Sequence, residues 1–128
     1  MIKNFALIAG ISALVLQSVA HAGAANIQYV YVNAANGYAS GGLAAASRGS
    51  GSQYITCASS GSLPSGSYVF CAARDASSNV TYCYDFNPPA GVRDVVAGIN
   101  YNSYIQFNSI PSTGDCTFIF VNNGSQFR

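Results

Sequence analysis

Ser67-Tyr68-Val69-Phe70-Cys71-Ala72-Ala73-Arg74 is the stretch whose reading decides the fold. Side chains alternate along an extended chain, so Val69, Cys71 and Ala73 share one face and Tyr68, Phe70 and Ala72 the other. Both faces are largely apolar, which predicts a central strand covered on two sides. Upstream, Gly61-Ser62-Leu63-Pro64-Ser65-Gly66 is a turn, and before it Gln53 to Ala58 reads as a strand. Downstream, Asp75-Ala76-Ser77-Ser78-Asn79 is a second turn. Val80 to Tyr84 then alternates Val80, Tyr82 and Tyr84 against Thr81 and Cys83.

Further out, Ile27 to Val32 is β-branched and aromatic, a strand by propensity. Asn36-Gly37 signals a hairpin, and Tyr38 to Ala46 reads as a Gly/Ala-rich second strand. Arg48 to Ser52 is a loop. On the C-terminal side the period changes. Val92, Val95, Val96 and Ile99 fall at i, i+3, i+4 and i+7, the stripe of a helix of about three turns. Asn87-Pro88-Pro89 would open it, with Asn as cap, and Gly98 and Asn100 would close it. Ser103 to Phe107 returns to strand. Cys116 to Asn122 is the clearest strand in the chain, with Phe118 and Phe120 opposite Ile119 and Val121. The predicted class is α+β: mainly antiparallel sheet with one short helix packed on it and two disulfides.

The first residues have the pattern of an export signal. Lys3 precedes an apolar run, Phe5 to Leu16, and Ala20-His21-Ala22 fits the small-x-small cleavage rule. The run is shorter than the ~20 residues a membrane anchor needs. The domain plan is therefore 1–22 signal peptide and 23–128 a single disulfide-stapled β-rich domain. Removing 22 of the 128 residues leaves 106, enough for one small core. The expected location is secreted or periplasmic, with no integral membrane segment after cleavage.

The export reading removes Met1, Lys3 and His21, and the remainder then contains no His, Lys, Met, Glu or Trp. Its charged side chains are four arginines (Arg48, Arg74, Arg93, Arg128) and four aspartates (Asp75, Asp85, Asp94, Asp115). They cancel. A neutral surface supplies no field to draw in nucleic acid, so nucleic-acid binding is disfavoured. Triads needing histidine, His-based zinc hydrolysis and lysine Schiff bases are excluded from that portion. An Asp-based hydrolase is the one enzymatic exception. Each aspartate has a simpler reading, in turns, at a strand end or on the polar side of the helix. No cofactor or metal is implied, and no calcium loop of regular spacing is present.

Cys57, Cys71, Cys83 and Cys116 read as two disulfides rather than a zinc site, because no close C-x2–4-C pair occurs. Two hairpins compete for Cys71. Cys57–Cys71 with Cys83–Cys116 is the preferred scheme, and Cys71–Cys83 with Cys57–Cys116 is almost as well placed.

Nine tyrosines among many Ser, Asn and Gly give the composition of adaptable binding surfaces. Tyr29 and Tyr31, Tyr82 and Tyr84, and Tyr101 and Tyr104 form three local pairs, a candidate binding surface if exposed together. The competing reading is that single tyrosines are half-buried sheet residues.

The order of segments also carries a resemblance: Ala-rich Gly41 to Arg48; Gln53-Tyr54-Ile55-Thr56-Cys57; Phe70-Cys71-Ala72-Ala73-Arg74-Asp75-Ala76; Cys83; a helix; Ser103-Tyr104-Ile105-Gln106-Phe107; and Cys116 to Val121. It resembles a loose group of small exported four-cysteine proteins of proteobacteria with no assigned activity. The resemblance implies export, disulfides and fold, and transfers no catalytic residue. The expected function is a non-enzymatic binding module for a glycan or an extracellular protein partner. The alternatives are an inhibitor of an extracellular hydrolase, presenting the loop Ser59 to Gly66, and a structural envelope or matrix protein.

Overall fold

The computed structural model of the chain describes residues 27–62 and 66–124. The signal-peptide reading of residues 1–22 lies outside them. The antiparallel β-rich class holds, and the strands divide into two sheets. Sheet A has the order β1-β2-β6-β7, with β1 Tyr31–Asn33, β2 Tyr38–Gly42, β6 Tyr104–Ser109 and β7 Cys116–Asn122. Sheet B has the order β3-β4-β5, with β3 Tyr54–Ser62, β4 Gly66–Arg74 and β5 Val80–Asp85. All named strand pairs are antiparallel.

β4 is the central strand of sheet B, as its two apolar faces require. Val69, Cys71 and Ala73 are fully buried and face the other sheet. Their cross-strand neighbours Ile55 and Cys57 on β3 and Cys83 on β5 are buried with them. Sheet A contributes Val32, Ala39, Ile105 and Phe107 to the same cluster, so the core is the space between two inner faces. Phe107 and Ile105 are completely enclosed.

Two helices close the core. α2, Ala90–Ala97, is shorter than the expected three turns and carries only part of the stripe: Val96 is buried and Val92 packs on the core, Val95 is exposed, and Ile99 packs on the core from just beyond the helix. Its entry differs from expectation. Pro89, not Asn87, occupies the cap position. Asn87 instead gives its N–H to the Asp85 carboxylate in a turn that ends β5.

α1, Leu43–Arg48, stands where the second strand was expected to continue. The strand ends at Gly42, and Leu43-Ala44-Ala45-Ala46 turns helical with its three alanines buried. Alanine is the best helix former, and its small side chain lets the helix sit flush on the core. The Leu43 N–H bonds to the Ser103 carbonyl, tying the helix start to the entry of β6. Arg48 lies in the last turn, where a cation suits the helix dipole.

The first strand is shorter than its propensity suggests. β1 begins at Tyr31, and the preceding chain meets β2 irregularly, with Gln28 accepting a bond from the Gly42 N–H. Gly41 permits this close approach: a Cβ there would lie 2.9 Å from the Val30 Cα. A single 3-10 turn, Ala34–Asn36, joins β1 to β2, and Gly37 follows in the left-handed region at φ 64°.

The disulfides are Cys57–Cys71 and Cys83–Cys116. The first ties the β3–β4 hairpin across its ladder, and the second joins an edge strand of sheet B to an edge strand of sheet A.

Candidate functional site

Outward-facing residues of sheet B follow from its register. On β4 these are Tyr68, Phe70, Ala72 and Arg74; on β5, Val80, Tyr82 and Tyr84; on β3, Tyr54, Thr56, Ala58 and Ser60. Phe70 is paired directly with Tyr84, and their ring centroids are 4.8 Å apart. Along β5, Tyr82 and Tyr84 are 5.9 Å apart and meet edge to face. Phe86, one alternation beyond the strand, lies parallel to Tyr84 at 5.7 Å. Tyr68 completes the set at 6.3 Å from Phe86.

Five rings thus form one connected set centred on Tyr84, which meets Phe70, Tyr82 and Phe86, with Tyr68 joined through Phe86. Aromatic contacts of this kind lock each other's rotamers and add about 0.5–1.5 kcal/mol per pair beyond burial. The rings remain open to solvent: Tyr82 is 54 % and Phe86 73 % exposed. On the far side of β4, Thr56 and Ser60 of β3 add exposed hydroxyls to the same face. Arg74, at one corner, is engaged with the Ser78 hydroxyl at 3.0 Å. At the Tyr82 end the row borders a cleft of about 260 Å³ lined by Tyr82, Ser109, Ser112, Thr113 and Gly114 among others.

The six tyrosines singled out in the sequence divide among three places. Tyr82 and Tyr84 belong to the ring series. Tyr31 and Tyr104 lie on the outer face of sheet A, where Tyr31 touches Tyr38 at 6.0 Å. That face also carries the exposed Phe118 and Phe120 on β7, set apart from Tyr31 and Tyr38 by Gln106 and Asn108 of β6. Tyr29 precedes β1, beside Ser50 and Gln53. Tyr101 stands before β6 with its hydroxyl 3.1 Å from the Ser47 hydroxyl. Tyr68, Phe70 and Phe86 were not picked out in the sequence. The signal was present for Phe86, which continues the alternation of Tyr82 and Tyr84. Tyr68 and Phe70 join only through the β4–β5 register.

The aspartates keep local roles. Asp75 accepts bonds from the N–H groups of Ser77 and Asn79 and from the Asn79 amide, and so organises its turn. Partial burial pushes its carboxyl up, but the Asn79 amide and the N–H groups of Asn79, Ser77 and Val32 together outweigh that and hold it below its ordinary value. Among the described residues no group of three or more cysteine or carboxylate side chains is placed to hold a metal. No helix among them is long and apolar enough to cross a membrane. The loop Ser59 to Gly66 is mostly ladder, since β3 and β4 stay paired out to Ser62 and Gly66; residues 63–65 lie outside the described residues.

Compared with protein-family models, curated proteins and solved structures, the chain matches none.

Proposed function

We propose that this is an exported, non-enzymatic binding module that holds a neutral glycan on the outer face of sheet B. The observation that carries the reading is the connected series Tyr68, Phe86, Tyr84, Phe70 and Tyr82. Sugar rings present a C–H face that packs on aromatic rings and a rim of hydroxyls that needs hydrogen-bond partners. The rings supply the first, while Thr56, Ser60, the tyrosine hydroxyls and the cleft beside Tyr82 supply the second. A ligand without charge suits a face on which Arg74, at one corner, is the one ionic side chain among the outward residues of the three strands. Rings that brace one another lose little freedom on binding, which favours affinity. The two disulfides fit an oxidising compartment.

The test is an array of neutral and charged polysaccharides probed with the oxidised protein. Saturable binding to neutral polymers supports the reading, and a blank array contradicts it.

A further inference from the structure

Three cysteines of sheet B stand side by side. Cys57, Cys71 and Cys83 are register partners across β3, β4 and β5, all on the inner face. Cys71 and Cys83 are completely buried, and Cys57 nearly so. Cys116, bonded to Cys83, is the most open of the four. It lies in the wall of a cleft of about 230 Å³, beside Pro89, Val92, Phe118 and Ile119.

Cys71 and Cys83 are placed to bond. The Tyr84 N–H points away from β4, to the Gly114 carbonyl. Backbone groups alternate sides along a strand, so those of the preceding residue, Cys83, face β4. Cys71 and Cys83 are therefore a hydrogen-bonded antiparallel pair, a geometry with Cα atoms about 5.5 Å apart. That lies inside the ~4.4–6.8 Å a disulfide spans. Cys71 thus has a sulfur on each side, bonded to one and within backbone reach of the other.

We propose that the two disulfides form a relay, entered at Cys116 and discharged at Cys57, that oxidises a small dithiol in the cleft. A thiolate of the dithiol attacks the Cys116 sulfur, forming a mixed disulfide and breaking Cys83–Cys116. Cys83 leaves as a thiolate, a charge that is costly to hold among apolar neighbours. It attacks Cys71, forming Cys71–Cys83 and breaking Cys57–Cys71. Cys57 leaves as a thiolate and takes a proton. The second thiol of the dithiol displaces Cys116 from the mixed disulfide, and the dithiol departs as its own disulfide. It has lost two electrons and two protons, which the protein holds as thiols at Cys57 and Cys116. Sheet B ends with a bridge between its strands, and the covalent tie to sheet A is open. The relay uses none of the outer-face rings and does not rest on the glycan reading.

Cleavage after Arg48, Arg74 and Arg93 places Cys57 and Cys71 in fragment 49–74, Cys83 in 75–93 and Cys116 in 94–128. In the untreated protein 75–93 is joined to 94–128. The experiment treats the folded, oxidised protein with one equivalent of dithiothreitol. Free thiols are then blocked with iodoacetamide, and the fragments are identified by mass spectrometry. The expected result is 75–93 joined to 49–74, with label on Cys57 and Cys116. Label on Cys83 and Cys116 without that join means that nothing is passed on. Label on Cys57 and Cys71 means that entry is at the other bridge. Either result, label on all four cysteines, or no label at all, overturns the proposal. Cys57→Ser gives a second readout without reductant. There the free Cys71 should attack Cys83 and release Cys116, so label falls on Cys116; label confined to Cys71 overturns the proposal.

Discussion

Cys71 and Cys83 are direct cross-strand partners in sheet B, yet they are not bonded to each other. Cys57, Cys71 and Cys83 stand in one row across three strands, all pointing inward. Cys71 bonds to Cys57 on one side, and Cys83 is held away from it by Cys116 of sheet A. Both hairpin pairings that the spacing allowed are therefore present as neighbours, and the opposite sheet decides between them.

This arrangement makes Cys116 a guard. In Cys116→Ser the freed Cys83 thiolate would face the Cys71 sulfur from the side opposite Cys57. Attack there forms Cys71–Cys83 and releases Cys57 as a thiolate, a balanced exchange. Alkylation of the folded variant at mildly alkaline pH, followed by peptide mapping, should find label on both Cys57 and Cys83. Label confined to Cys83 would contradict the row geometry.

The two bridges should also differ in their contribution to stability. Cys57–Cys71 closes a loop of separation 14 and Cys83–Cys116 one of separation 33. Loop entropy gives about 3 and about 4 kcal/mol respectively. Only the second joins the sheets. Denaturant unfolding of the two double Cys→Ser variants should show the larger loss for Cys83 with Cys116.

Gly37 should not tolerate alanine. Its backbone is left-handed, and a Cβ there would run into the Ser109 carbonyl oxygen. Ser109 in turn gives its N–H to the Gly37 carbonyl at 2.7 Å, so the contact is where β6 meets the β1–β2 turn. Gly37→Ala is expected to cost at least about 1–3 kcal/mol from backbone strain, read as a fall in the denaturation midpoint. Gly91→Ala, with open space around it, should be neutral or slightly stabilising.

Acid should weaken the Asp75 turn. Its folded carboxyl is held below the ordinary value of 3.8, so the unfolded chain binds the proton more readily. The turn's contribution is complete above that value and is lost as pH falls through the depressed folded value. Stability measured across this window should fall less steeply in Asp75→Asn than in the wild type. Equal slopes would mean that the carboxylate does not organise the turn.

Much of this fold was legible because its strongest strands are long and locally consistent. Cys116–Asn122 emerges with the bounds its alternation gave, and Ser67 to Arg74 is central because both its faces are apolar. α1 was hidden because Gly41 and Gly42 run straight into Leu43-Ala44-Ala45-Ala46, and small residues satisfy a close-packed strand as well as a helix. The division into two sheets was hidden because it depends on β2 pairing with the distant β6. For the candidate site, Tyr82 and Tyr84 showed through their alternation. Tyr68 and Phe70 did not, since only the β4–β5 register sets them beside those tyrosines.

The central claim is that the ring series on sheet B holds a neutral glycan. The most direct test is affinity electrophoresis of wild type and Tyr82→Ala/Phe86→Ala through gels containing a neutral polysaccharide found on the array. Both side chains are more than half exposed, so the pair should fold normally. The account predicts that the wild type is retarded and the variant runs freely while still unfolding cooperatively, at a midpoint lowered only by the lost ring contacts. Equal retardation of the two proteins would contradict it.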